Sequence, residues 1–173
     1  EVGMDKKGEI NYLTKLIKPN LGLITNISYA HIENFKNLKE IAKAKGEIIN
    51  NIISHGIIVL NMDSKYYKYF LKKSENRNLK IISFSKYNKN AEILYLNKKK
   101  IKNIYLLYFK INGVKKSFLI SNDLLSYKEN ILASLGIIIN YFDIHKLNKK
   151  IFLGFKIPES RGSVINYKKG SRN

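Results

Sequence analysis

Ile57-Ile58-Val59-Leu60-Asn61-Met62-Asp63-Ser64 is an apolar run closed by turn-forming polar residues, the pattern of a strand buried on both faces of a sheet. An amphipathic stretch, Ser64 to Lys72, follows it, and a second apolar run, Lys80 to Ser85, comes next. Strand, helix, strand in that order calls for a crossover, which sets the two strands parallel. Upstream the alternation continues. Gly8 to Ile17 reads as a helix closed by Pro19, Leu21 to Ile27 as a buried strand, and Asn37 to Ile53 as one strong helix whose end is marked by Gly56. The expected class is α/β, a mostly parallel sheet flanked by helices.

Downstream of Asn90 the period changes to two, in Ala91 to Leu96, Ile101 to Ile111 and Lys115 to Ile120, with Asn112-Gly113 as a hairpin turn. These segments predict an antiparallel meander attached to the parallel sheet. A helix is expected from about Tyr127 to Tyr141 and a weaker one after Asp143. From Pro158 the chain is polar and glycine-rich, so 1–157 reads as one domain and 158–173 as a linker and the start of a C-terminal domain.

The chain has 173 residues, 45% of them hydrophobic, enough for a packed core. It has no cysteine, which excludes disulfides, thiolate metal sites and thiol nucleophiles and fits a reducing compartment. Its longest apolar run, Ile131 to Ile139, is too short to cross a bilayer and is broken by Ser134 and Gly136. The net charge of +19 suggests a nucleic-acid partner. Against that, Arg77, Arg161 and Arg172 are the only arginines, and the lysines are spread through every segment. Specific nucleic-acid readers favour arginine's bidentate fork, so no nucleic-acid partner is expected.

Ligands of open parallel sheets bind at the carboxyl ends of the strands. Three such positions carry suitable groups: Glu1, after what looks like the end of a strand; His31, after Leu21 to Ile27; and Asn61 with Asp63, after Ile57 to Leu60. Each has a plainer reading, as a solvated terminus, a surface histidine and an ordinary turn motif. On the helix from Asn37, residues Leu38, Ile41, Ala42, Ile48, Ile49 and Ile52 trace one apolar face, and Lys45 falls in its middle. A lysine there must snorkel outward, find a partner or change its charge. Snorkelling is the ordinary outcome. Carbamylation, which turns the amine into an anionic oxygen ligand for a hard cation, is another. The sequence contains no GxxxxGK[ST] loop, GxGxxG turn or GxSxG elbow, and His55 and His145 have no evident nucleophilic partner.

Several stretches resemble motifs of the Mur ligases, in family order. Glu1-Val2-Gly3 through Gly8-Glu9-Ile10 is similar to E-x-G-x-x-x-x-G-E-I. Thr25-Asn26-Ile27 and Ala30-His31-Ile32-Glu33-Asn34-Phe35 resemble T/N-N-x-x-x-A-H-L-E-G-F, and Ala42-Lys43-Ala44-Lys45-Gly46-Glu47-Ile48 resembles A-K-A-K-G-E-I. The last two are worded as in the members that add D-alanyl-D-alanine. Asn61-Met62-Asp63 resembles N-x-D, Asn130-Ile131-Leu132-Ala133-Ser134 resembles N-A-L-A-A, and Glu159-Ser160-Arg161-Gly162 resembles E-G-R-G.

The resemblance implies a central ATPase domain without its phosphate-binding loop. Glu1, His31 and a carbamylated Lys45 would hold magnesium, Asn130 would contact adenine, and Arg161 would serve the nucleotide phosphates, with Asn61 and Asp63 as weaker nucleotide-side candidates. The implied cofactors are ATP and Mg2+; the implied substrates are UDP-N-acetylmuramoyl-tripeptide and D-alanyl-D-alanine, joined through an acyl phosphate. The partners would be the remaining N- and C-terminal parts of the same protein, in a cytoplasmic bacterial monomer with no membrane span. Ser126 and Tyr127 depart from the family's H-N-x-x-N run before Asn130, which bears on one adenine contact. Alone, the chain is expected to lack ligase activity. The alternatives are another Mur or folylpolyglutamate-type ligase, a degenerate non-catalytic domain, and a basic nucleic-acid-binding module.

Overall fold

The computed structural model describes residues 2–29 and 34–157. One six-stranded sheet runs through the molecule in chain order: β1 (Leu21–Ile24), β2 (Ile57–Asn61), β3 (Lys80–Ser85), β4 (Ile93–Ile101), β5 (Ile104–Ile111) and β6 (Val114–Ser121). β1 to β4 pair in parallel, and β4 to β6 form the expected antiparallel meander. The helices are α1 (Glu9–Ile17), α2 (Leu38–Lys45), α3 (Ile48–Asn51), α4 (Tyr67–Glu75) and α5 (Lys128–Ile138).

Alternation within the strands sorts the core into two sides. Ile24, Ile58 and Leu60 pack with Ala42, Ile49, Ile52 and Phe70 from α2, α3 and α4. Val59, Ile82 and Phe84 pack on the other side with Ile131, Leu132 and Leu135 of α5, and the same cluster runs on into Leu107, Phe109 and Phe118 of the meander. At Gly136 a Cβ would lie 2.5 Å from Cγ1 of Val59. Only a residue without a side chain lets α5 approach the sheet this closely.

α1 sits outside α2 and α3, where Ile10 joins Ile41, Ala44 and Phe35. Its first turn is capped from a distance: the Glu47 carboxylate accepts from the Gly8 amide (3.0 and 3.1 Å) and the Asn11 amide (3.1 Å). A carboxylate at a helix N-terminus satisfies orphan donors and opposes the helix dipole.

The link from β3 to β4 is short for a parallel pair, which ordinarily needs a dozen or more residues. The ladder explains it, since only Phe84 with Ile93 and Ser85 with Leu94 are paired. β4 starts level with the end of β3 and continues beyond the carboxyl edge of the parallel sheet. Past that ladder it is paired only with β5, whose other edge is covered by β6.

Several expected boundaries are corrected. The single helix from Asn37 to Ile53 is two, α2 and α3, interrupted at Gly46-Glu47, where Gly46 packs tightly under Phe70 and Glu47 turns to cap α1. The strand expected to Ile27 ends at Ile24, and the helix expected over Ser64 to Lys72 spans Tyr67–Glu75. The strand expected to end at Leu96 continues through the lysine-rich Asn97 to Lys100 as far as Ile101, and the turn to β5 falls at Lys102-Asn103 with φ 52° at Lys102. Lysine stems tolerate an exposed strand that buries little. Asn112 and Gly113 both take positive φ, 48° and 85°, as a tight hairpin turn requires. The long helix expected from Tyr127 is a 3-10 turn (Asp123–Tyr127) leading into α5, and the weak one after Asp143 is a single 3-10 turn, Ile144–Lys146. The segment from Pro158 lies outside the described residues. Among those described, no helix is long and apolar enough to cross a membrane.

Candidate functional site

A row of polar contacts runs along the carboxyl edge of the parallel sheet, starting at Lys45. Its side chain climbs from the last turn of α2, in the N-terminal direction that helical side chains take, and its Nζ donates to the carbonyl oxygen of Asn26 at 3.0 Å. Lys45 is half-buried, and desolvation holds its pKa below the ordinary lysine value. It therefore snorkels to a carbonyl partner, while desolvation works against its charged form.

Asn61, buried at the end of β2, continues the row. Its Nδ2 donates to the Thr25 carbonyl (3.0 Å) and its Oδ1 accepts from the Asp63 amide (2.9 Å). The Asp63 carboxylate accepts from the Ser85 hydroxyl and, at 2.6 Å, from the Lys86 amide. Ser85 Oγ in turn accepts from the Tyr87 and Asn88 amides at 2.9 and 2.7 Å. Asn61 and Asp63 thus tie the ends of β1, β2 and β3 together. The row closes on α5, where the Lys86 ammonium pairs with Glu129.

Asn130, next to Glu129, faces a cavity of about 280 Å3. One wall is Tyr127, Asn130, Ile131 and Ser134; the other is Phe152, Phe155 and Ile157. A mostly apolar cleft with a few convergent polar groups is the usual form of a small-molecule site, and a carboxamide between aromatic walls can read the edge of a flat heterocycle while rings cover its faces.

The structure therefore brings Lys45, Asn61 and Asp63 to one edge, and Asn130, which follows Glu129 in α5, lines the cavity. Glu1, His31 and Arg161 lie outside the described residues. Among the described residues no three His, Asp or Glu side chains gather into a metal cluster. The described edge offers a hard, oxygen-seeking cation one carboxylate, Asp63, whose oxygens already accept from Ser85 and Lys86, and a lysine that would supply an oxygen ligand only as its carbamate.

Sequence reasoning missed Ser85, Lys86 and Glu129, and the aromatic wall of Phe152 and Phe155. Ser85 and Lys86 were within reach, since the strand-end rule applied to Lys80 to Ser85 points at them. The aromatic wall had no such signal, because it forms only when the segment after α5 folds back beside Leu124 and Tyr127.

Compared with known proteins, residues 1–137 match the Mur ligase middle domain. The UDP-N-acetylmuramoyl-tripeptide--D-alanyl-D-alanine ligase of Rickettsia prowazekii is 32% identical over 167 residues, 96% of this chain and 37% of that protein. The ligase of the same name from Borreliella burgdorferi is 33% identical over 168 residues, 95% of this chain and 32% of that one. Among solved structures, MurF from Acinetobacter baumannii superimposes with a TM-score of 0.71 at 17% identity, over 83% of this chain and 31% of that one. MurF from Thermotoga maritima, solved with ADP, gives 0.66 at 22%, over 84% and 34%. These structures share the fold. The chain spans about a third of the length of its curated relatives.

Proposed function

Because this chain belongs to the Mur ligase family and carries its middle domain, we propose that it is the central part of a ligase joining D-alanyl-D-alanine to UDP-N-acetylmuramoyl-tripeptide. The observation that supports the reading is the row of contacts from Lys45 to Glu129, with Asn130 next in sequence and lining the cavity. The 32% and 33% identities to two ligases of that name, across nearly the whole chain, support the choice of substrates.

In this reading ATP phosphorylates the terminal carboxylate of the tripeptide, and the amine of D-alanyl-D-alanine displaces phosphate from the acyl phosphate, forming the amide. Asn130 orients the adenine, and Tyr127, Phe152 and Phe155 exclude water from its faces. Lys45, as its carbamate, together with Glu1 and His31 would hold magnesium, which when bound supplies charge neutralisation at the transferring phosphoryl group. Asn61 and Asp63 keep the strand ends in register, so that groups on β1 and α2 keep their distance from those on α5. Misplacement by an ångström costs such a reaction about a hundredfold. Arg161 is assigned to the phosphates, and 158–173 to the start of the C-terminal domain. The chain covers about a third of its curated relatives' length, and in this reading ligation also draws on the rest of the ligase. A monomer in the bacterial cytoplasm belongs to the same reading.

The test is a chimera in which this chain replaces the matched segment of the Rickettsia prowazekii ligase. It is incubated with ATP, magnesium, the UDP-linked tripeptide and D-alanyl-D-alanine, and the pentapeptide product is sought by mass. Product dependent on all four is the expected result. A folded chimera that binds nucleotide and forms none overturns the assignment.

A further inference from the structure

One cation in the polar row has no part in the chemistry described so far. Lys86 directly follows β3, its amide fixed by the Asp63 carboxylate and its ammonium paired with Glu129. The two side chains are 24% and 37% exposed, so the pair opens to solvent at the edge. Glu129 adjoins Asn130 on α5, while Asp63 leads back through Asn61 and Thr25 to Asn26 and Lys45. Lys86 therefore stands between the base cavity and the Lys45 end. From β1 to β3 is two strand spacings, about 10 Å, a gap of the order that a ribose and its phosphates cover.

We propose that Lys86 binds a phosphate of the nucleotide, giving up Glu129 for a phosphate oxygen when the ligand arrives. This rests on the nucleotide reading of the Asn130 cavity. A lysine acts on phosphate as a point charge on a flexible stem, which suits a position reached from the side of the phosphate chain. Exchanging partners costs little, because a lysine–carboxylate pair open to solvent is screened and contributes little net stability. Until then Glu129 holds the ammonium over the edge, and the Tyr87 ring lies 5.2 Å beneath it. The hydrogen bond to Glu129 raises the Lys86 pKa, so the group stays charged at neutral pH.

The experiment is calorimetric titration of this chain with adenosine, AMP, ADP and ATP, comparing the parent with Lys86→Met, Lys86→Arg, Glu129→Gln and Asn130→Ala. Lys86→Met keeps the aliphatic stem and guards against a folding defect. The expected result is an unchanged adenosine affinity with ADP weakened roughly tenfold or more, the size of one charged hydrogen bond. Lys86→Arg should retain the affinity for ADP, and Glu129→Gln should strengthen it. Equal losses for adenosine and ADP would mean that Lys86 only holds α5 in place, and unaltered ADP binding would mean that it touches no phosphate; either overturns the proposal. If the parent binds adenosine no better than Asn130→Ala does, the nucleotide reading itself fails and this inference falls with it.

Discussion

Replacing Gly136 by alanine sets two effects of opposite sign against each other. In a helix interior alanine is favoured over glycine by about 1 kcal/mol. Here the new methyl would sit 2.5 Å from Cγ1 of Val59, a side chain with no exposed surface in the middle of β2. Real Cβ contacts do not come that close, and forcing extra volume into a packed core costs about 1–3 kcal/mol. The overpacking should win, so that Gly136→Ala alone destabilises by about 1 kcal/mol. Val59→Ala alone loses buried methyls, at a cost of about 2 kcal/mol. In the double variant the clash is gone, and the glycine replacement should stabilise relative to Val59→Ala by up to about 1 kcal/mol. The coupling is then about 2 kcal/mol, well above the few tenths by which independent sites depart from additivity. Urea unfolding followed by circular dichroism measures all four proteins, with a constant denaturant slope as the check on two-state behaviour. Melting temperature should move about 2–4 °C per kcal/mol for a chain of this size. Additive effects, or a Gly136→Ala protein more stable than its parent, would refute the account of α5 packing.

Two further outcomes follow from the same geometry. Glu47→Ala leaves the Gly8 and Asn11 amides without their cap, which should cost about 1–2 kcal/mol and speed hydrogen exchange in α1 ahead of the rest of the chain; unchanged α1 protection would remove the capping role. For Lys45, desolvation lowers the folded pKa below the ordinary 10.5, so between those two values the unfolded chain binds more protons than the folded one and stability rises with pH. Relative to Lys45→Met, the parent should therefore gain stability as pH climbs from neutrality through the folded pKa toward the ordinary lysine value, and a pH-independent difference would count against burial of the ammonium.

Much of the edge was readable before any coordinates. The runs at Ile57 and Lys80 marked β2 and β3 to the residue, because short β-branched and aromatic stretches bounded by turn-forming residues suit a strand buried on both faces. Asn61 and Asp63 were found by the strand-end rule, and Lys45 by a charge standing in an apolar face. What they bond to was not readable. Lys45 meets a carbonyl 19 positions earlier, and the side chain of Glu47, read as one more turn of a long helix, caps α1 instead. Local periodicity carries no information about such partners.

The sequence alone determined the order of the elements, the change from parallel to antiparallel pairing near Asn90 and the family to which the motifs belong. These are properties of periodicity, turn chemistry and residue spacing, each confined to a few neighbouring positions. Only the tertiary structure decided that the helix breaks at Gly46, that β4 pairs with β3 over two residues before continuing in the meander, and that Lys86 and Glu129 bridge β3 to α5 beside Asn130. Each of these arises from contacts between segments far apart in the chain, set by close packing and by the need to satisfy buried polar groups, and so it exists only once the layers have come together.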